Sequence, residues 1–324
     1  MIETHIVILL IALIADWFTG EPQALWRRVG HPVAWIGWLI HRLDAMLNRH
    51  TDTAGQRYRN GAVAWTVLIA AALATAWVIG FVLRLLGPLG WLIEAAIVSV
   101  LLAQKSLKEH VAAVTAGLRN GGLEGGRRAV SLIVGRDPEQ LDRAGVSRAA
   151  IESLAENFSD GVVAPAFWYA VFGLPGLIVY KAINTADSMI GHKSEKYLEF
   201  GRVAAQSDDL ANWLPARLSA LLIAAGAWAL AGMAAARAAL SVAARDAGLH
   251  RSPNAGWPEA AFAGALGIAL GGPRIYANEA VRQSWLNASG RRDPDAGDIE
   301  RALGLFALAC FALWGAVLAV WIVV

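Results

Sequence analysis

Glu152, Glu156 and Asp160 are spaced four apart in the run Glu152-Ser153-Leu154-Ala155-Glu156-Asn157-Phe158-Ser159-Asp160. On a helix they share one face. Three like charges on a face repel, and they are tolerated when water solvates them or a cation sits among them. Mg²⁺ takes carboxylate oxygens and usually keeps waters and substrate phosphates. The run is therefore a candidate metal face, with Asn157 beside it; the alternative is a solvated helix face. A second run, Lys181-Ala182-Ile183-Asn184-Thr185-Ala186-Asp187-Ser188, puts Lys181, Asn184 and Ser188 on one face with Asp187 adjacent. A point-charge ammonium, a carboxylate, an amide and a hydroxyl suit a phosphate–metal site. The alternative is a helix end at an interface with Lys181 snorkelling.

A third run holds Asp208, Asp209 and Asn212, followed by Pro215 and Arg217. Helix capping accounts for Asp209 or Asn212 singly but not for all three, and Pro215 is tolerated in the first turn of the next helix. A fourth, Ser252-Pro253-Asn254-Ala255-Gly256-Trp257-Pro258-Glu259, is a rigid turn with Glu259 at the mouth of an apolar segment. A weaker fifth signal joins Asp16, Gly20-Glu21-Pro22 and His31-Pro32-Val33. A lone histidine such as His31 is commonly structural. The chain has no phosphate-binding glycine loop of the Walker type, no His-Glu-x-x-His and no Gly-x-Ser-x-Gly.

The elements that position these runs are set by composition. The chain has 324 residues, 56% hydrophobic and 17% charged, with mean hydropathy +0.46. Soluble domains carry about 25% charged residues, so the deficit excludes a disordered chain and most soluble enzymes. A net charge of +2 offers no field for a nucleic acid. The single cysteine, Cys310, excludes a disulfide framework. Fourteen tryptophans fit interfacial anchoring. Gly61–Leu83 and Leu303–Val324 carry no charge, and each exceeds the roughly 20 residues that cross a bilayer as a helix.

Leu218–Ala236 is a third uncharged segment, rich in Ala and Gly. Leu85–Gln104 carries only Glu94 and reads as the return arm of a hairpin through Pro88 and Gly90. Gly161–Tyr180 is apolar but broken by Pro165, Gly173, Pro175 and Gly176, which protein or a cavity must cover. Ala260–Gly272 is too short to span and reads as re-entrant. Ile6–Ala15 reads as a retained anchor rather than a signal peptide. The expectation is an all-α polytopic integral membrane protein with about four to six membrane helices, some broken or re-entrant, plus cytoplasmic helical segments. It forms a single helical membrane domain over residues 1–324, with a cytoplasmic helical insertion at 105–160. The Arg-rich Gly20–Asn60 loop orients that side to the cytoplasm. The hairpin returns the chain there for Lys105–Asp160, and the middle spans leave the full count open.

At these residues the sequence resembles a known family. Glu152–Pro165 (ESLAENFSDGVVAP), Asn184–Tyr197 (NTADSMIGHKSEKY), Asp208–Arg217 (DDLANWLPAR) and Ser252–Gly272 look like the signature blocks of the CobD/CbiB family, the adenosylcobinamide-phosphate synthases of cobalamin biosynthesis. Asp16, Gly20, Pro22 and His31-Pro32-Val33 fit its opening, with Glu21 where aspartate is expected. The similarity runs from about residue 8 to 290. It implies ATP-dependent amide ligation of adenosylcobyric acid to aminopropanol or its phosphate, through an acyl phosphate. ATP is then a co-substrate and Mg²⁺ the cofactor. On that resemblance Glu152, Asp160, Asp187, Asp208 and Asp209 become candidate metal ligands. Asn157, Asn184, Ser188, Asn212, Arg217 and Asn254 become nucleotide or phosphate contacts. Glu156, Asp160, Lys181, Asp187, Glu259 and His31 become the reactive set, with Glu259 or His31 taking the proton from the attacking ammonium.

The expected setting is the inner (cytoplasmic) membrane, with a cytoplasmic active face. Partners would be membrane lipid, other membrane-bound cobalamin-assembly enzymes or a second copy of the chain, and no nucleic acid. Trp168, Trp213 and Trp257 are available to the corrin ring, with lipid anchoring as their other use. Competing readings are a Mg²⁺-dependent membrane phosphotransferase or prenyltransferase, a non-enzymatic membrane sensor on the same fold, and a transporter. Polar groups at segment borders rather than mid-span weigh against the transporter.

Overall fold

The computed structural model describes residues 2–20, 23–135, 138–276, 279–281 and 284–323. Glu21 and Pro22 lie outside them. The helices are α1 Ile2–Thr19, α2 Gln23–Val29, α3 Pro32–Leu47, α4 Ala54–Leu85, α5 Pro88–Leu101, α6 Gln104–Asn120 and α7 Gly122–Val130. There follow α8 Arg143–Phe158, α9 Ala164–Ile190, α10 Arg202–Ala211, α11 Trp213–Ala231, α12 Met233–Asp246, α13 Gly256–Leu266 and α14 Ala296–Val323. Among the described residues, strand is confined to two antiparallel pairs, Leu270–Gly271 with Trp285–Leu286 and Arg274–Tyr276 with Glu279–Val281. Among the described residues, five helical segments are long and apolar enough to cross a membrane: Ala54–Leu85, Pro88–Asn120, Arg143–Ile190, Trp213–Ala231 and Ala296–Val323. The chain is an all-α, multi-pass membrane protein.

The chain divides into two compact units: residues 1–102, 164–212 and 321–324 form one, and residues 103–163 and 213–320 the other. In the first, α4 and α5 make the expected hairpin, turning at Gly87 (φ 56). A Cβ on Gly90 would lie 2.0 Å from the Leu83 carbonyl, so only glycine lets the arms close this tightly. α9 breaks where the Gly173–Pro175 pattern predicts, with Gly173 at φ 65. Asp44, buried on α3, accepts from Lys196 Nζ at 2.7 Å, Asn48 Nδ2 at 2.9 Å and the Tyr197 hydroxyl at 3.1 Å. These bonds clamp the turn after α9.

In the second unit α6 and α7 pack through glycine: a Cβ on Gly117 would meet the Gly125 carbonyl at 2.4 Å. The apolar stretch expected at 218–236 is two helices. Gly232 sits at φ 82, where other residues are strained, and α12 packs back against α11 and α13. The 260–272 stretch holds the rest of the buried α13, which ends at left-handed Gly267 (φ 68), and the first strand, Leu270–Gly271. Asp246, at the end of α12, holds the strand region by accepting from the Asn287 amide at 2.7 Å. The adjacent Arg245 guanidinium keeps its carboxyl below the usual carboxylate range.

Candidate functional site

The polar residues of the first unit gather where α9 and α10 meet. Asp208 is 8% exposed. Asn184 on α9 donates to its Oδ1 at 3.2 Å, and Asn212 donates to its Oδ2 at 3.0 Å. Asn212 is fixed in turn by the buried Tyr180, whose hydroxyl donates to Asn212 Oδ1 at 2.9 Å. Trp168 Nε1 anchors the same corner by donating to the Ala211 carbonyl at 3.1 Å. The amide of Asn212 thus has one orientation, its oxygen toward Tyr180 and its nitrogen toward Asp208. Burial, and then the nearby charge of Asp187, push the Asp208 carboxyl up to about 6 against these hydrogen bonds. Two carboxylates forced together in a partly dry corner favour a cation.

Asp187 and Lys181 are half-buried, while Ser188 and Asp209 are exposed. Gly191 sets the Asp187 carboxylate: a Cβ there would lie 2.0 Å from Asp187 Oδ1. Gly191→Ala is expected to displace Asp187 and cut turnover about tenfold or more, as misplacement of a reacting group does. Thermal unfolding is measured beside turnover, because the same Cβ would also lie 2.7 Å from the Asp187 backbone carbonyl. Wild-type turnover in this variant would show that the Asp187 position does not matter. His31 begins α3, and its Nδ1 accepts from the Val33 amide at 3.2 Å as a helix cap. Asp16 is buried at 2% exposure near the end of α1.

In the second unit the expected stripe Glu152, Glu156, Asp160 is not uniform. Glu152 is 4% exposed, and its Oε1 accepts from the Gly271 amide at 2.7 Å. Glu156 and Asn157 are exposed. Asp160 is half-buried in a π turn, Ser159–Val163, whose wider backbone re-aims it relative to a straight α-helix. Among the described residues no group of three or more His, Cys, Asp or Glu side chains is placed to hold a metal ion.

Glu259, 2% exposed on α13, faces a residue that the sequence reading passed over: His250 Nε2 lies 3.6 Å from its Oε1. The Ser252 amide donates to His250 Nδ1 at 3.1 Å, which orients the ring. Ser252 Oγ accepts from the Asn254 and Ala255 amides at 3.2 Å, so the rigid turn carrying Asn254 is held by its own serine. The signal for His250 was its place two residues before Ser252. Arg217 lies with its guanidinium 4.2 Å from the Trp213 ring and 4.8 Å from the Trp257 ring. Cation–π contact with both rings, and donation from Nη1 to the Trp213 carbonyl, fix the guanidinium in place.

The chain matches the family described as CobD/Cbib protein over residues 9–306. The chain belongs to the CobD/CbiB family. "Cobalamin biosynthesis protein CobD" of a Sinorhizobium species is 56% identical over 320 residues, 99% of each chain. The Brucella suis protein of the same name is 53% identical across 98% of this chain and 97% of its own. That of Rhodobacter capsulatus is 50% identical across 93% and 92%. No solved structure matches. At this level of identity and coverage, the chain is similar along nearly its whole length to cobalamin biosynthesis proteins.

Proposed function

We propose that this chain is the synthase that joins adenosylcobyric acid to aminopropanol or its phosphate, using ATP, at the inner (cytoplasmic) membrane with its active face to the cytoplasm. The observation that carries the reading is Asp208, a buried carboxylate held by two amides beside a second carboxylate, within the sequence block that the family resemblance rests on. In this reading the corrinoid propionate oxygen attacks the γ-phosphorus and ADP leaves, giving an acyl phosphate. The amine nitrogen then attacks the carbonyl carbon, phosphate leaves, and one ammonium proton passes to a base.

Asp187 and Asp208 would hold Mg²⁺, with Asp209 at the exposed edge. Mg²⁺, when bound, offsets charge on the transferring phosphoryl. Asn184 and Asn212 keep the Asp208 oxygens in place. Lys181 and Arg217 are cations for phosphate, with Ser188, Asn157 and Asn254 as nucleotide contacts. Glu156 and Asp160 belong to the acidic block of the second unit. Glu152 is assigned to holding Gly271 rather than to the metal. Glu259 is the preferred base. His31 accepts a backbone N–H at Nδ1, so its neutral ring carries the proton on Nε2 and lacks a lone pair for an ammonium. The test is growth of a deletion strain. Cobinamide should restore growth and cobyric acid should not, and purified membranes should release ADP only with a corrinoid acid present. Phosphate transfer to a lipid without ATP would favour the phosphotransferase reading.

A further inference from the structure

The first unit also encloses a cavity of about 440 Å³, a size that takes small organic ligands. It is bounded by the first turns of α1, the end of α4, the start of α5 and the bend of α9, and its lining includes His5, Trp77, Phe81, Arg84, Trp91 and Glu94. None of these residues takes part in the reaction above. Glu94 is the one ionisable side chain of α5. The Tyr169 hydroxyl donates to its Oε1 at 2.8 Å. Among the described residues no basic side chain forms an ion pair with Glu94, and no acidic one with Arg84. His5 Nδ1 is buried and has no hydrogen-bond partner. The His5 ring is seated over Gly173, where a Cβ would lie 2.7 Å from its Nε2. Trp77, Phe81 and Trp91 are 70%, 54% and 55% exposed, and they form the apolar rim on membrane-spanning helices.

One anion and one cation, neither with an opposite charge paired to it, around a single cavity call for a ligand that carries both charges. Ionisable groups at membrane depth that lack such a partner are costly. We propose that the cavity binds the zwitterionic headgroup of an aminophospholipid. Its primary ammonium donates to Glu94 beside the His5 ring, its phosphate meets the Arg84 guanidinium, and its acyl chains lie along Trp77 and Phe81. A quaternary ammonium has no N–H to donate and is the poorer ligand.

Native mass spectrometry of the full chain in detergent, offered phosphatidylethanolamine, phosphatidylcholine and phosphatidylglycerol of equal chain length, tests this. Wild type should retain phosphatidylethanolamine about fivefold over the other two, as loss of one charge-assisted hydrogen bond predicts. Glu94→Gln should bring phosphatidylethanolamine down to the phosphatidylcholine level and leave phosphatidylglycerol unchanged. Arg84→Gln should weaken all three. Equal retention of the three lipids by wild type overturns the proposal whether or not the variants fold. A preference that survives Glu94→Gln also overturns it. Soluble phosphoethanolamine that binds while intact lipids show no preference would assign the cavity to a soluble zwitterion and overturn the lipid.

Discussion

Asp208→Asn should lower amide formation by about 100-fold or more, the scale on which removal of one electrostatic contact to a transition state is felt, while making the protein harder to unfold. The two effects come from one cause. Burial and the Asp187 charge place the Asp208 carboxyl at about 6 in the folded protein, above the ordinary carboxylate value near 3.9. The folded state therefore binds this proton more tightly than the unfolded state. Folding is penalised above pH 6, where the group is charged in both states, and the penalty fades as pH falls through 6 toward 4. The neutral amide removes it, a gain on the order of 2–3 kcal/mol at pH 8 that vanishes near pH 4. The geometry accommodates the change if Asn184 flips to offer its oxygen, since Asn212 is already fixed by Tyr180. The measurement is turnover with ATP, Mg²⁺ and corrinoid acid, beside thermal unfolding in chelator at pH 8 and pH 4. Asp187→Asn and Asp160→Asn belong in the same assay. Near-wild-type turnover in all three would remove the metal assignment.

Glu259→Gln should cost about 10²–10⁴ in amide formation, the range for loss of a positioned base, yet leave the first chemical step intact. If Glu259 receives the ammonium proton, the variant still phosphorylates the corrinoid carboxylate. ADP release should persist, and added hydroxylamine should trap the acyl phosphate as a hydroxamate. His250→Asn should give a smaller loss, because His250 stands 3.6 Å from Glu259 Oε1 and orients the carboxylate rather than touching substrate. A Glu259→Gln protein that neither releases ADP nor yields hydroxamate would place Glu259 in the first step or in the fold, and would end its assignment as the base.

Apolar length and punctuation made the membrane architecture legible. The uncharged run before Leu83, the Pro88–Gly90 turn and the Gly173–Pro175 break each stand where the sequence puts them. Gly232 was harder to read, because one glycine in an Ala-rich stretch looks like close packing until its φ of 82 is seen. In the site, i and i+4 spacing marks which residues share a helix but not what faces them. Glu152 and Glu156 look alike in sequence, yet α8 is surrounded at Ala149, Ile151 and Leu154, so one is buried on Gly271 and the other is in solvent. The pairing of Asn212 with Tyr180 and of Glu259 with His250 comes from neighbouring elements, which periodicity does not report.

The Asp44–Lys196 contact has a consequence for how the chain is made. Its two residues are 152 apart in sequence. At synthesis rates of roughly 5–20 residues per second, Asp44 is made about 8–30 s before Lys196. Through that interval α3 carries an acidic group that ends buried in the mature protein and has not met its cation. The amino-terminal helices must therefore wait, with Asp44 in water or held by the insertion machinery, and α3 can reach its final seat only when the turn after α9 arrives to neutralise it.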